Sequence, residues 1–181
     1  ELPTYAFQRT RYWLEAGTHD TAKASLYRVL WRDLQGARSG SSESWELLSS
    51  PASWSAGIRV HESVPAFAAA VQRGESAAET LVYALPPRPE ADARAAGSAA
   101  CEVLGVLQAW LREPALAVKH LLVTTCRAVS THAGEDVEDL AHAAVWGLVR
   151  SAQIEYPGAI SLLDVEDWTQ ASIELALLIG G

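Results

Sequence analysis

Three continuous apolar runs constrain the fold most: residues 80–85 (TLVYAL), 120–125 (HLLVTT) and 160–165 (ISLLDV). Runs of this length, bounded by turn residues such as Pro86-Pro87, suit strands buried on both faces of a sheet. Helical spacing fills the segments between them. Ala100, Val103, Leu104, Leu107, Trp110 and Leu111 recur at intervals of three and four, and Pro114 stops that helix. Leu140, Ala141, Ala144, Val145 and Leu148 mark another helix from about 136 to 155, closed by Pro157-Gly158. Buried strands alternating with helices predict a mostly parallel α/β sheet, Rossmann-like, with helices on both faces.

The remaining segments fit the same plan. Residues 26–34 alternate apolar and polar, as a half-buried strand does, and 36–44 (GARSGSSES) read as a loop. Residues 45–48 and 57–61 are two more short strands. Pro65 sits where a first helical turn accepts it, which starts a helix over 64–71. Residues 86–97 read as a loop and 168–178 as a last helix. Trp110 and Trp146 are expected in the core, Trp31 and Trp45 at strand edges of the sheet. Cys101 and Cys126 read as small core residues of a reducing compartment.

Charge narrows the partners. The chain has 22 acidic and 14 basic residues, a net charge of −8, and its only lysines are Lys23 and Lys119. This removes the cationic surface that nucleic-acid or polybasic membrane binding needs. No stretch approaches the ~20 consecutive apolar residues of a membrane span. The N-terminal residues have no apolar signal-peptide core. The expectation is a cytoplasmic protein with neither a nucleic-acid nor a membrane partner.

A Rossmann-like sheet invites a search for its chemistry, and the sequence does not supply it. There is no G-x-G-x-x-G loop to bring backbone against a pyrophosphate, and no G-K-[ST] phosphate loop. Tyr5, Tyr12, Tyr27, Tyr83 and Tyr156 all lack a lysine four positions on, the pair that lets a phenol protonate a carbonyl. The histidines, His19, His61, His120, His132 and His142, show no metal-ligand spacing. Ser130-Thr131-His132 with Glu135 and Asp136 can be drawn as a hydrolytic triad, but G-x-S-x-G is missing. A polar loop whose Glu135 and Asp136 favour the next helix N-terminus is the better reading. The expectation is no catalytic, cofactor-binding or metal-binding residue in this chain.

The opening run is unlike the rest. Leu2, Pro3, Tyr5, Phe7, Arg9, Arg11, Tyr12 and Trp13 cluster aromatic rings with guanidinium groups, outside any helix or strand pattern. Large aromatics beside arginine mark a docking surface. Residues 2–13 (LPTYAFQRTRYW) resemble the linker that follows the acyltransferase in modular type I polyketide synthases. Residues 26–34 (LYRVLWRDL), 104–111 (LGVLQAWL), 139–158 (DLAHAAVWGLVRSAQIEYPG) and 162–165 resemble the structural subdomain of the ketoreductase in those synthases.

That resemblance implies a post-acyltransferase linker over 1–25 and, over 26–181, a truncated Rossmann-like ketoreductase structural subdomain that ends before its closing strand. It implies a non-catalytic scaffold packed on a catalytic half, within a cytoplasmic multienzyme of antibiotic biosynthesis. The parent would reduce a β-ketoacyl group on an acyl carrier protein. NADPH and phosphopantetheine are implied for that parent and no cofactor for this chain. The linker implies contact with the ketosynthase and acyltransferase region through the eight residues named above. With no room between linker and subdomain for a dehydratase, the parent is expected to stop at the hydroxyl. Two rivals remain: a small reductase with a decayed cofactor loop, and a standalone docking module whose aromatic linker recruits neighbouring synthase domains.

Overall fold

The computed structural model describes residues 30–31, 44–48, 57–86, 88 and 92–168. The chain divides into two units, Glu1–Arg32 and Asp33–Gly181, and the elements below belong to the second. In chain order they are β1 (Trp45–Leu48), β2 (Val60–His61), α1 (Val64–Gln72), β3 (Thr80–Ala84), α2 (Ala93–Arg112), a 3₁₀ turn (Pro114–Leu116), β4 (His120–Cys126), α3 (Leu140–Glu155) and β5 (Ile160–Val165). The strands form one sheet in the order β2-β1-β3-β4-β5. Every pair is parallel. The expected parallel α/β sheet is present, with three helices among the described residues.

Alternation along the strands gives the sheet two different faces. Leu81, Leu121, Val123 and Ile160 point to the face that receives Phe67 of α1, Val103, Leu107 and Trp110 of α2, and Val145 and Val149 of α3. Phe67 is its anchor: wholly buried, stacked on Trp110 at 6.3 Å and edge-on to His61 at 5.1 Å. The opposite face carries Leu47, Val82, Ala84, Leu122, Cys126 and Val165. Among the described residues no helix joins that second cluster.

Caps set the helix starts. Ser63 caps α1 by accepting from the Ala66 amide, with Pro65 in the first turn as expected. Asp92 accepts from Ala95 and starts α2 at Ala93, inside the stretch expected to be a loop. Pro86-Pro87 and Gly97 suggest a break, but alanines 93, 95, 96, 99 and 100 propagate the helix once Asp92 has capped it. Asp139 caps α3, so that helix begins at Leu140 and not near 136.

Other expectations need correcting. The strand over 57–61 shrinks to Val60–His61, because β2 pairs with β1 only through Leu47 and Leu48. Of residues 26–34, only Leu30 and Trp31 are described; both are exposed and neither is in a strand. The rest of that expected strand lies outside the described residues. Cys126 is buried as expected, but Cys101 is exposed on α2. Trp110 is buried, whereas Trp146 is half-buried. Trp168 lies in a turn, and the rest of the expected helix over 168–178 lies outside the described residues. No helix among them is long and apolar enough to cross a membrane.

Candidate functional site

Open parallel sheets take ligands at the carboxyl ends of their strands. There the ends of β4 and β5 and the segment after β3 enclose a cleft of about 560 Å³, lined by Arg88, Cys126, Arg127, Glu138, Asp139, Glu166, Asp167 and Trp168. Arg127 follows β4 with φ 54, a left-handed backbone that non-glycine residues adopt at a cost. The turn is held from three sides. The Arg127 carbonyl accepts from the Glu138 and Asp139 amides, each at 3.0 Å. Its Nε donates to the Glu166 carbonyl at 2.7 Å, and its guanidinium pairs with Glu138 at 2.6 Å.

Asp139 is the most enclosed carboxylate of the cleft. It accepts from the His142 amide at 3.0 Å, from the Arg88 amide at 3.3 Å, and pairs with His142 Nδ1 at 2.6 Å. His142 is itself 1% exposed, a core histidine and not a solvent-facing base. Behind it, the Trp146 indole donates to Thr125 Oγ1 at 2.9 Å, and that hydroxyl donates to Asp164 at 2.5 Å. The Ala128 and Val129 amides also donate to Asp164. Burial raises the Asp164 pKa above the ordinary value, against those hydrogen bonds. Burial, aided by Asp164, pushes the Cys126 thiol up to about 11, so it stays protonated and a poor nucleophile at neutral pH.

The other histidine clusters also bond within the domain. Glu46 accepts from Ser76 Oγ at 2.7 Å and meets His61 Nε2 at 2.5 Å. A carboxylate standing between the serine and the histidine is the wrong order for a nucleophile–base relay, which needs the histidine in the middle. The paper triad over 130–136 does not assemble either. Ser130 Oγ donates to the His132 carbonyl, and Glu135 accepts from the Thr131 and His132 amides. Those bonds, led by the Thr131 amide, hold the Glu135 carboxyl below its ordinary value. Glu135 closes its own loop and does not face the helix N-terminus. No group of three or more His, Cys, Asp or Glu side chains is set to hold a metal among the described residues.

The cleft is rimmed by acidic residues. Glu138, Asp139, Glu166 and Asp167 outnumber Arg88 and Arg127 around it, and Arg127 already serves Glu138 and the Glu166 carbonyl. The eight linker residues, Leu2 to Trp13, lie outside the described residues. Sequence reading passed over Arg127, Asp139 and Asp164. The one local signal was Asp139 three residues before His142, an N-cap spacing.

The family described as "Polyketide synthase extender module SpnB, Rossmann fold domain" matches residues 18–180. The chain belongs to this family. The Rossmann fold domain of polyketide synthase extender modules therefore accounts for the parallel sheet. The chain is 37% identical over 150 residues to polyketide synthase GfsA of Streptomyces halstedii, covering 81% of this chain and 2% of that protein. It is 35% identical over 159 residues to spectinabilin polyketide synthase system protein NorA of Streptomyces orinoci, covering 81% of this chain and 8% of that one. Mycoketide-CoA synthase of Mycobacterium tuberculosis is 54% identical over 67 residues, 37% of this chain and 2% of its own length. The chain thus spans a small fraction of these multidomain relatives.

Proposed function

We propose that this domain is the non-catalytic scaffold half of a polyketide synthase ketoreductase, and that it holds in place a catalytic half elsewhere in the parent. The observation that carries this reading is the cleft at the carboxyl ends of β4 and β5. It is lined by Glu138, Asp139, Glu166 and Asp167, and its Arg127 and Asp139 are held by bonds within the domain. Such an end stabilises a fold and offers nothing to a phosphate. The lack of a glycine-rich loop and of a Tyr–Lys pair points the same way. NADPH, the carrier-protein arm and the β-ketoacyl group would be handled by the partner half. Contact with the ketosynthase and acyltransferase region would fall to residues 1–25.

The test is to assay NADPH-dependent reduction of a β-ketoacyl thioester by the parent module and by the same module with this domain deleted. The reading expects the deletion to abolish reduction and solubility together, and the 181-residue chain alone to reduce nothing. Full reduction by the deleted module would overturn it.

A further inference from the structure

The column of side chains on the helix-covered face of β4 and β5 changes character at the carboxyl end. Leu121 lies opposite Ile160 and Val123 opposite Leu162, and the next pair is Thr125 and Asp164. An aliphatic residue at 164 would continue the core. A half-buried carboxylate stands there instead, and among the described residues no cation forms an ion pair with it.

A carboxylate drawn out of water without a cation is costly unless hydrogen-bond donors replace the water. Neutral donors do so here, at both oxygens. Thr125 Oγ1 donates to Oδ1 at 2.5 Å, the Ala128 amide reaches Oδ1 at 3.0 Å and Oδ2 at 3.2 Å, and the Val129 amide reaches Oδ2 at 3.4 Å. The hydroxyl is aimed from behind. It accepts from the Trp146 indole at 2.9 Å, which leaves its proton for Asp164, while the other acceptor in reach, the Leu163 carbonyl, stands at 3.5 Å. Short bonds of this kind, from a hydroxyl to a carboxylate, are the charge-assisted ones.

The amides are aimed by the backbone. Arg127, with φ 54, turns the chain so that the next two amides both face the carboxylate. Successive amides in such a turn form a concavity that binds anions. The strained residue is held by bonds that do not involve the Asp164 side chain. Its carbonyl accepts from the Glu138 and Asp139 amides, its own amide donates to the Val165 carbonyl, and its side chain bonds Glu138 and the Glu166 carbonyl. The concavity is therefore organised by groups other than its occupant.

We infer that the turn after β4 is a carboxylate-binding seat, filled in this chain by its own Asp164 and open to a free small carboxylate once that side chain is shortened. The native occupant differs from a free ligand in being tethered through β5. It ties the end of that strand to the turn carrying Arg127, so the two strand ends that wall the cleft are fixed to each other. Desolvation is the largest influence on Asp164, and a free carboxylate meets the same penalty without the tether, so the emptied seat binds it weakly. The seat stands whether or not the domain is a scaffold.

The experiment exchanges sodium chloride for sodium formate at constant ionic strength and neutral pH, in the wild-type 181-residue chain and in Asp164→Ala. Thermal midpoints and backbone amide NMR signals are followed. The expected result is a saturable rise in the midpoint of Asp164→Ala, about 3–6 °C at ten times the dissociation constant. The Ala128 and Val129 amide signals of the variant move toward their wild-type positions as formate is added. The wild type, its seat already filled, shows neither change. A rise of the same size in the wild type overturns the inference, as does no rise in the variant, or a rise that leaves the Ala128 and Val129 signals unmoved. If Asp164→Ala does not fold in chloride, it is refolded from urea in either salt. Recovery of folded protein in formate alone supports the seat, and no recovery, or equal recovery in both salts, overturns it.

Discussion

Single residues at the carboxyl ends of the strands carry much of the local order. Asp139 caps α3, pairs with the buried His142 and accepts from the Arg88 amide. Replacing it with alanine removes the cap and strands a buried imidazole. We predict that Asp139→Ala costs about 3 kcal/mol or more, read as a lower urea midpoint at unchanged slope. A loss under 1 kcal/mol, the typical worth of a cap alone, would show that the His142 contact contributes nothing. Asp164 tests pH. Its pKa in the fold lies above the ordinary 3.8, so the folded state holds the proton more tightly. That contribution to stability is complete below 3.8 and is lost as pH rises through the raised value. Relative to Asp164→Asn, the wild type should lose ground as pH rises through that window. A wild-type-minus-variant difference that stays constant with pH would sink the assignment.

At the scale of elements, the apolar runs and the 3.6-residue spacing were readable because burial on both faces leaves little freedom in composition. β3, β4 and β5 lie where those runs predict, and β1 where a short strand was expected. The ends were less readable, because a cap is one polar side chain meeting one amide, and Asp92 and Asp139 compete with Asp136 and Glu135 for that role. The cleft was not readable: the Ala128 amide and Asp164 meet only through the pairing of β4 with β5, across 36 residues of chain. Phe67 shows what a legible apolar position does in the fold. It joins α1 to α2 through Trp110. Phe67→Ala should cost about 3–5 kcal/mol by leaving a cavity, measured by thermal unfolding. A cost below 2 would mean that α1 collapses into the space. Gly147→Ala should move the other way and raise the stability of the isolated chain by about 0.5–1 kcal/mol, because the added methyl meets open space. A loss of stability there would show that α3 needs its glycine for its own sake.

For the whole molecule, fold and function separate. A parallel sheet in the order β2-β1-β3-β4-β5 is the build of many nucleotide-binding domains, yet four acidic residues line the cleft at the end of this sheet. The prediction is that NADPH fluorescence shows no saturable change when the 181-residue chain is titrated. Saturable binding in the micromolar range would revive the small-reductase alternative.

The all-parallel pairing also sets a timetable. No strand here can zip against its successor through a tight turn. Thr80 waits for His120, and Leu121 for Ile160, each roughly forty residues later. A ribosome adding about 5–20 residues per second takes roughly 6–24 s between Trp45 and Val165. During the later part of that interval the backbone edge of β4 stands open, still unpaired with β5. Folding of such a domain during translation therefore depends on whatever shields a nascent strand edge. The β4 edge is where a slowed ribosome or a missing chaperone would first show as aggregation.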